Sequence, residues 1–420
     1  MVKLFMIADD FTGALDTGVQ FAQQGIRTQV FTTQKLNAHE IKMDTEVVVV
    51  DTETRPLSPQ KAYSIVKDLA VWAREQNIPI IFKKTDSALR GNIGAELQAL
   101  ADTVQDTVYF LPGHPKIDRV TKDGIQFISE QLLEDSVFGQ DPFEPVTKSY
   151  IPDIIHEQSN IFVTCLGEKD ELPYDTKTAK IAVCDTTCVA GLDNRLEALI
   201  QTDRLHWLAG CAGLAERLVQ KLSFSRHKKN DFRKTKAFYV ACGSLNRITQ
   251  EQILYAIKNH HFVCRHLTFE QKLLPHYYDT AQGKQDLEEI CSLLETQNKV
   301  IIDTFDAEEI QEKKAEFLAQ YHITKNDIRV LIPQCHGRIL QEILKKQQDI
   351  TILMTGGDTL MGFMHLIGCN QLEPICELEQ GTVLSFLEYD GRLQQVISKS
   401  GGFGTKDVLE NIADKILNKN

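Results

Sequence analysis

The sequence predicts an α/β protein of two domains, each a mostly parallel sheet flanked by helices. Apolar runs of strand length, such as Leu4-Phe5-Met6-Ile7-Ala8 and Val47-Val48-Val49-Val50, alternate with stretches of helical periodicity, the pattern of βαβ crossovers with both sheet faces covered. The alternation lapses at residues 223–236, which are polar and hold six Lys or Arg, and then starts afresh. A chain of 420 residues is also longer than one ordinary hydrophobic core supports. The expected division is 1–222, a linker over 223–236, and 237–420.

In the first half, strands are expected at 28–32, 46–51, 78–82, 107–111, 161–165, 181–184 and 206–209. The opening strand, ending at Ala8, is followed by a helix from Thr12, with Leu15, Val19 and Ala22 on one face and Gly25 as its stop. Ser58-Pro59 supplies an N-cap and a first-turn proline for another, and a further helix starts near Ala212-Gly213. In the second half, buried strands are expected at 238–242, 300–302, 330–332 and 350–354, with a strand-like 395–397 near the end. Helices are expected from about 244 to 257, at 307–318 and 339–346, and at the C-terminus.

Composition narrows the functional classes. With 46 basic and 58 acidic residues the net charge is -12, which argues against nucleic acid or an anionic membrane as partner. No apolar run approaches a membrane span and no signal-like segment opens the chain, so a cytoplasmic location is expected. Ten cysteines without a C-x-x-C pair read as reduced, mostly buried thiols; Cys184 and Cys188, lacking a second ligand pair, do not make a zinc motif.

The chemistry-bearing residues follow the strands. Asp9 and Asp10 stand where the first strand meets its helix, at the carboxyl edge where open α/β sheets bind ligands. One can cap the helix, but one helix start needs one cap, which leaves the other for a ligand or a proton. Arg55, the turn Lys83-Lys84-Thr85-Asp86 with Arg90, and His114 also follow strands and so belong to the same edge. This local basic cluster is how an acidic protein can recruit an anion, with arginine suited to a bidentate grip on a carboxylate.

In the second half the strand at 350–354 opens onto Gly356-Gly357-Asp358-Thr359. Glycines permit close backbone approach and a helix N-terminus offers unpaired N–H groups, so this reads as a phosphate cradle, with Asp358 or Thr359 able to cap the next helix. Ser400-Gly401-Gly402 forms a second glycine turn. Neither is a Walker A loop, because Phe363 and Met364 stand where Lys and Ser/Thr are required, and no G-x-G-x-x-G follows a strand.

These blocks together resemble the four-carbon acid sugar kinase family, whose members phosphorylate D-threonate, D-erythronate or 3-oxo-tetronates. The resemblance rests on Ile7-Ala8-Asp9-Asp10-Phe11-Thr12-Gly13-Ala14, on Lys83-Lys84-Thr85-Asp86-Ser87 with Leu89-Arg90-Gly91-Asn92-Ile93-Gly94-Ala95-Glu96, and on Asp141-Pro142 with Pro145-Val146. It continues through Ala212-Gly213-Leu214-Ala215, Gly243-Ser244, Gly356-Gly357-Asp358-Thr359 and Lys399-Ser400-Gly401. Pro112-Gly113-His114-Pro115-Lys116-Ile117-Asp118-Arg119 departs from the family's Pro-Ala-Phe-Pro followed by Gly-Arg-Thr.

The resemblance implies an acid-sugar domain, a nucleotide domain and an active site in the cleft between them. It implies substrate contacts at Asp9, Arg55 and Lys83, Lys84, Thr85 and Asp86, and ATP contacts at Ser244, Gly356, Gly357, Asp358, Thr359 and Gly401. Charge leaves Arg90 open as a further substrate contact. Phosphoryl transfer with ATP and Mg²⁺ needs positioning and charge neutralisation, plus a carboxylate for the hydroxyl proton; Asp9, Asp10 and Asp86 are the candidates. Among family members the continuation Asp16-Thr17-Gly18-Val19-Gln20 looks most like the D-threonate kinases. The expected partners are a small sugar acid and ATP, with the oligomeric state open and a homodimer one option. A non-catalytic sugar-acid sensor or a nicotinamide-dependent dehydrogenase are the alternatives from other classes.

Overall fold

A computed structural model describes residues 1–141, 144–172, 180–228, 231–244, 246–306 and 311–418. The chain forms two units, Met1–Lys229 and Asn230–Asn420.

The first unit opens with β1 (Leu4–Ala8), buried throughout, and α1 (Phe11–Ala22). There follow β2 (Thr28–Phe31), β3 (Val47–Asp51), α2 (Pro59–Glu75), β4 (Ile80–Lys84), α3 (Ile93–Val104) and β5 (Thr107–Leu111). Ser58 caps α2 by accepting from Lys61 N, with Pro59 in the first turn, as expected from a residue pair that satisfies one orphan donor and removes another. A small antiparallel sheet, β6 (Arg119–Lys122), β7 (Ile125–Ile128) and β8 (Gln131–Leu132), interrupts the alternation. The unit closes with α4 (Ile151–His156), β9 (Phe162–Leu166), β10 (Lys180–Cys184), α5 (Val189–Gln201), β11 (Trp207–Gly210) and α6 (Ala212–Lys221).

Its main strands lie in the order β2-β3-β1-β4-β11-β5-β10-β9, and each pairing is parallel. From β1 the chain runs outward to β2, returns to β3, and only then crosses to β4 on the other side of β1. That reversal is a topological switch point, and it puts a crevice at the carboxyl ends of β1, β3 and β4.

The second unit contains β12 (Ala237–Cys242), α7 (Arg247–His260), β13 (Val263–His266), α8 (Phe269–Leu273), α9 (Ala281–Thr296) and β14 (Lys299–Asp303). Next come α10 (Gln311–Gln320), α11 (Lys325–Lys346), β15 (Ile350–Thr355) and α12 (Gly357–Leu366). A meander of β16 (Gln371–Glu379), β17 (Thr382–Tyr389) and β18 (Arg392–Lys399) precedes α13 (Val408–Ile416). The strand order is β13-β14-β12-β15-β18-β17-β16, parallel as far as β18 and antiparallel in its last two pairings. Here too the chain leaves β12 on one side and returns to β15 on the other.

The strand expected at 330–332 is instead part of α11. Thr324 and Asp327 form a capping box at its start, and Ile332, His336, Ile339, Ile343 and Leu344 give it a buried helical face. Val330 points outward and is 54% exposed. Pro333 sits inside the helix, closely packed on α12, where a side chain at Gly362 would overlap it. Of the helix expected at 307–318, residues 307–310 lie outside the described residues and the remainder is α10. Strands β16 and β17 had no counterpart in the sequence reading.

The polar stretch after α6 is anchored on the first unit up to His227, whereas Arg233 N already donates to Gln395 Oε1 of the second at 3.0 Å. Lys3 Nζ donates to Ser223 O at 2.9 Å, Ser225 N to Glu46 Oε2 at 2.7 Å, and His227 N to Gly25 O at 2.8 Å. Of the ten cysteines five are buried and only Cys188 is exposed, all with free thiols. No described helix is long and apolar enough to cross a membrane.

Candidate functional site

The β1–α1 junction divides the labour of its two aspartates. Asp10 is the N-cap, its Oδ1 accepting from Gly13 N at 3.2 Å, whereas Asp9 makes no cap and is 1% exposed. Arg55, following β3, reaches across: its Nε donates to Asp9 Oδ2 at 2.8 Å and its Nη2 bridges Asp9 Oδ2 and Asp10 Oδ1, each at 2.8 Å. Lys84, at the end of β4, places Nζ 3.2 Å from Asp10 Oδ1 and 3.6 Å from Asp9 Oδ1. Asp9 Oδ1 itself has no hydrogen-bond partner among the described residues. Gly13 makes this approach possible, because a β-carbon there would collide with the Lys84 ammonium.

Strand alternation explains why the two lysines part company. Lys84 faces the aspartates, but Lys83 points to the opposite sheet face, where Nζ is 3.0 Å from Glu96 Oε2, both side chains fully buried. It also donates to Ile7 O at 3.2 Å and Lys84 O at 2.8 Å, while Thr54 Oγ1 donates to Glu96. The structure therefore brings Asp9, Asp10, Arg55 and Lys84 together and leaves Lys83 as a buried brace beneath them.

Asp86 and Arg90 form the next layer. Arg90 Nε donates to Asp86 Oδ2 at 2.7 Å and Nη1 to Asp141 Oδ2 at 3.1 Å, with the guanidinium 5.2 Å from the Phe138 ring centre. Thr85 is fully buried, its N donating to Gly210 O at 2.8 Å. Three contributors escaped the sequence reading. Arg119 packs on the same ring, its guanidinium 4.8 Å from the Phe138 ring centre, and donates to Ser87 Oγ. Glu144 lies close enough to feel Arg55 and Arg90. Asp51 ends β3 beside Ala8, 1% exposed, with Oδ1 accepting from Glu53 N at 3.1 Å and Oδ2 unpartnered among the described residues. Arg119 belongs to the stretch that departs from the family pattern, where its position offered the one usable signal. His114 and Lys116 of that stretch turn away to Glu216 on α6.

The electrostatics follow from dense packing of opposite charges. Burial alone would raise the pKa of Asp10, yet Arg55 and Lys84 outweigh it and bring it down to about 2. Burial opposes ionisation of Asp86 as well, but Arg55 and Arg90 hold it well below the usual carboxylate range. Burial works against the charge on Arg55 and Lys84, and Asp10 and Asp9 more than reverse it, so both cations are held charged. Arg119 differs: burial lowers its pKa, and no carboxylate among the described residues forms an ion pair with it. Asp51 goes the opposite way, its pKa pushed well up by burial and then by Glu53. Asp10 and Asp86 are thus permanent anions and weak Brønsted bases, and Arg119 is a desolvated cation suited to an incoming anion.

In the second unit the predicted nucleotide residues converge. Ser244, after β12, donates its N to Thr355 Oγ1 at 3.3 Å, at the end of β15. Gly356 follows at φ +84°, a left-handed conformation that favours glycine, and its N donates to Lys399 O at 2.9 Å. Gly356, not Asp358 or Thr359, is the N-cap of α12, and it makes no side-chain cap; Thr359 Oγ1 instead donates back to Thr355 O at 2.9 Å. The first-turn N–H groups beginning at Gly357 are therefore not taken up by a cap, the condition for anion binding. Gly401 lies against Ser244, where a β-carbon would come 2.6 Å from its Oγ. Its loop is pinned by Thr249 Oγ1 to Gly401 O at 2.8 Å, by Gln252 Nε2 to Phe403 O at 3.0 Å, and by Lys399 Nζ to Ser400 O and Phe403 O at 3.1 Å each. Burial brings the Lys399 pKa down to about 8.

A charged crevice on one unit and an anion cradle on the other agree with the family models that match the chain. Residues 4–218 match a sugar-binding N-terminal domain and residues 239–409 a nucleotide-binding C-terminal domain. The chain belongs to the four-carbon acid sugar kinase family. As a member it is a phosphotransferase acting on an alcohol group. A D-threonate kinase of Salmonella typhimurium is 26% identical over 97% of both chains. A D-erythronate kinase of Heliobacterium modesticaldum is 33% identical over 38% of this kinase and 37% of its own length. A 3-oxo-tetronate kinase of Escherichia coli is 31% identical over 38% of this kinase and 42% of its own length. Two solved structures share the fold: a Salmonella typhimurium LT2 protein named as a tRNA synthase, with TM-score 0.78 at 20% identity over 99% of this kinase and 100% of that chain, and a Haemophilus influenzae protein, with TM-score 0.73 at 19% identity over 98% and 100%.

Proposed function

We propose that this kinase uses ATP to phosphorylate D-threonate, giving 4-phospho-D-threonate. Residues 1–222 hold the acid and 237–420 the nucleotide, joined by 223–236. The observation that supports D-threonate over other four-carbon acids is the D-threonate kinase relative that aligns along 97% of both chains.

Arg55, Lys84 and Arg119 receive the substrate carboxylate and hydroxyls. Arg119 is the grip on the carboxylate, because Arg55 and Arg90 already serve aspartates. Asp9 takes the proton of the attacking hydroxyl: its buried Oδ1 has no hydrogen-bond partner among the described residues and, unlike the unpartnered Asp51 Oδ2, belongs to a carboxylate held directly by Arg55. That hydroxyl oxygen bonds to the γ-phosphorus as the bond to the bridging oxygen breaks, and ADP leaves. The Gly357 N–H at the start of α12, the Ser244 hydroxyl and the Gly401 loop seat the phosphates, while Gly356 and Thr359, whose own donors serve Lys399 O, Gly356 O and Thr355 O, shape the turn. Asp358, whose carboxylate is 63% exposed in the first turn of α12, suits Mg²⁺, a hard cation that takes one or two carboxylates alongside phosphate oxygens. The ion would neutralise phosphate charge.

The test is a kinase assay over D-threonate, L-threonate, D-erythronate and 3-oxo-tetronate, with product identification. Highest kcat/KM for D-threonate and a phosphate on its terminal hydroxyl are expected. Turnover of D-erythronate or a 3-oxo-tetronate alone reassigns the substrate, and no turnover of any member refutes the reading.

A further inference from the structure

Outside both sites, the carboxyl ends of β13 and β14 bring together three side chains that the kinase reaction leaves unused. We propose that Cys264, His266 and Asp303 form a binding site for a first-row transition metal of the zinc type on the edge of the second unit. This inference is independent of the substrate assignment.

The strand geometry builds the site. Residues two apart on a strand face the same side, so Cys264 and His266 share a face, while Arg265 between them turns to the other side and pairs with Glu289 at 3.2 Å and Asp286 at 3.6 Å. The parallel register then sets Asp303 beside His266. Cys264 Sγ donates to Asp303 Oδ2 at 3.2 Å, and His266 Nδ1 lies 2.7 Å from Asp303 Oδ1. The sulfur, nitrogen and oxygen all fall within 4.8 Å of one another. A tetrahedral metal with bonds of roughly 2.0 Å to N and O and about 2.3 Å to S needs its ligand atoms within roughly 4 Å of each other, so only small side-chain rotations are required.

The ligand types select the metal. Thiolate, imidazole and carboxylate together suit zinc and its neighbours, and are too soft a set for Mg²⁺ or Ca²⁺. Burial is graded across the site: Asp303 is fully buried, Cys264 partly so, and His266 is 64% exposed on its side chain. The exposed imidazole side leaves the fourth position to water, the arrangement of an open site with three protein ligands. Binding releases the Cys264 thiol proton to solvent; the imidazole binds neutral through Nδ1 with its proton on Nε2. The resulting thiolate and carboxylate neutralise a divalent ion. Because β13 is the last strand on its side of the order and β14 its neighbour, the metal ties the outer strand to the sheet, which stabilises the fold by mass action.

The experiment uses the full chain, stripped with chelator and titrated with Co²⁺ as a spectroscopic probe and Zn²⁺ as competitor. A thiolate-to-cobalt absorption band at one equivalent, displaced by Zn²⁺, is expected, together with a rise in Tm on adding Zn²⁺. Cys264→Ser should abolish the band, and His266→Ala should weaken Co²⁺ binding at least tenfold without loss of fold, since its side chain is mostly exposed. Cys188→Ser, which removes the exposed thiol, should leave the band intact. No band in the stripped protein, or a band that survives Cys264→Ser or disappears with Cys188→Ser, overturns the proposal. Should Cys264→Ser fail to fold, an unaltered band in His266→Ala overturns it equally.

Discussion

The two units wind their opening strands identically and then furnish them differently. The order β2-β3-β1-β4 in the first recurs as β13-β14-β12-β15 in the second, with a parallel register at each step. Even the end of the third strand is shared. Asp51-Thr52 follows the same path as Asp303-Thr304: each threonine donates N and Oγ1 to the last carbonyl of the central strand, Ala8 O in one and Cys242 O in the other. What differs is the residue type beyond the switch point. The first unit sets carboxylates and cations there, and the second sets glycines and hydroxyls. One frame thus presents either a crevice of closely packed opposite charges or a glycine-lined helix N-terminus.

The comparison breaks most visibly at Asp9. Asp9→Asn should keep the fold, being nearly isosteric, and lose roughly 10²–10⁴-fold in turnover, the range of a positioned base. Near-normal kcat would transfer that role elsewhere, with Asp10→Asn and Asp86→Asn as the internal comparison. Ligand binding should then divide by unit. Arg55→Ala, Lys84→Ala and Arg119→Ala should each weaken the acid by about 1.5–3 kcal/mol and leave ATP affinity unchanged. Gly357→Val and Gly401→Val should do the reverse by calorimetry, and equal losses for both ligands would end the division of labour.

A third difference concerns acid. Asp10 titrates lower in the folded protein than unfolded, so its contribution is complete above about pH 4 and is lost as pH falls toward about 2. The shift corresponds to on the order of 2 kcal/mol. Denaturant melts at pH 5 and pH 3 should show Asp10→Asn flattening this slope; an unchanged slope would remove Asp10 as its source. The smallest effect sharpens the shared frame. Thr52→Val and Thr304→Val should cost about 1 kcal/mol each, the worth of one hydrogen bond; a large inequality would show the two strand ends are not equivalent.

The central strands at both switch points were legible because they are buried on both faces and read as continuous apolar runs, with charges or glycines at their ends, whereas their order was not. The meander was not, since β16 alternates acidic residues with apolar ones and carries Pro374. Its available signals were the turns Gln380-Gly381 and Asp390-Gly391, where Gly381, Asp390 and Gly391 all take positive φ. The strand expected at 330–332 failed because a short apolar run with two β-branched residues, Val330 and Ile332, outweighed a capping box six residues upstream. In the site, the aspartates, Arg55 and Lys84 could be found from strand ends. Glu144 and Asp141 arrive from irregular segments and Arg119 from the start of the short strand β6, and no local period marks them. Which of two adjacent lysines would face the crevice depended on the register of β4, which the sequence does not print.

That register has a thermal consequence. Lys83 and Glu96 form an ion pair with no access to water beneath the charged crevice. Hydration of charged groups becomes less favourable on heating, so the cost of drying this pair falls as temperature rises, while hydrophobic gain per unit area levels off. Replacing both by apolar residues would favour the cold protein more than the hot one. The brace under Lys84 is therefore a part of the first unit that tightens, relative to its apolar surroundings, as the protein approaches its melting point.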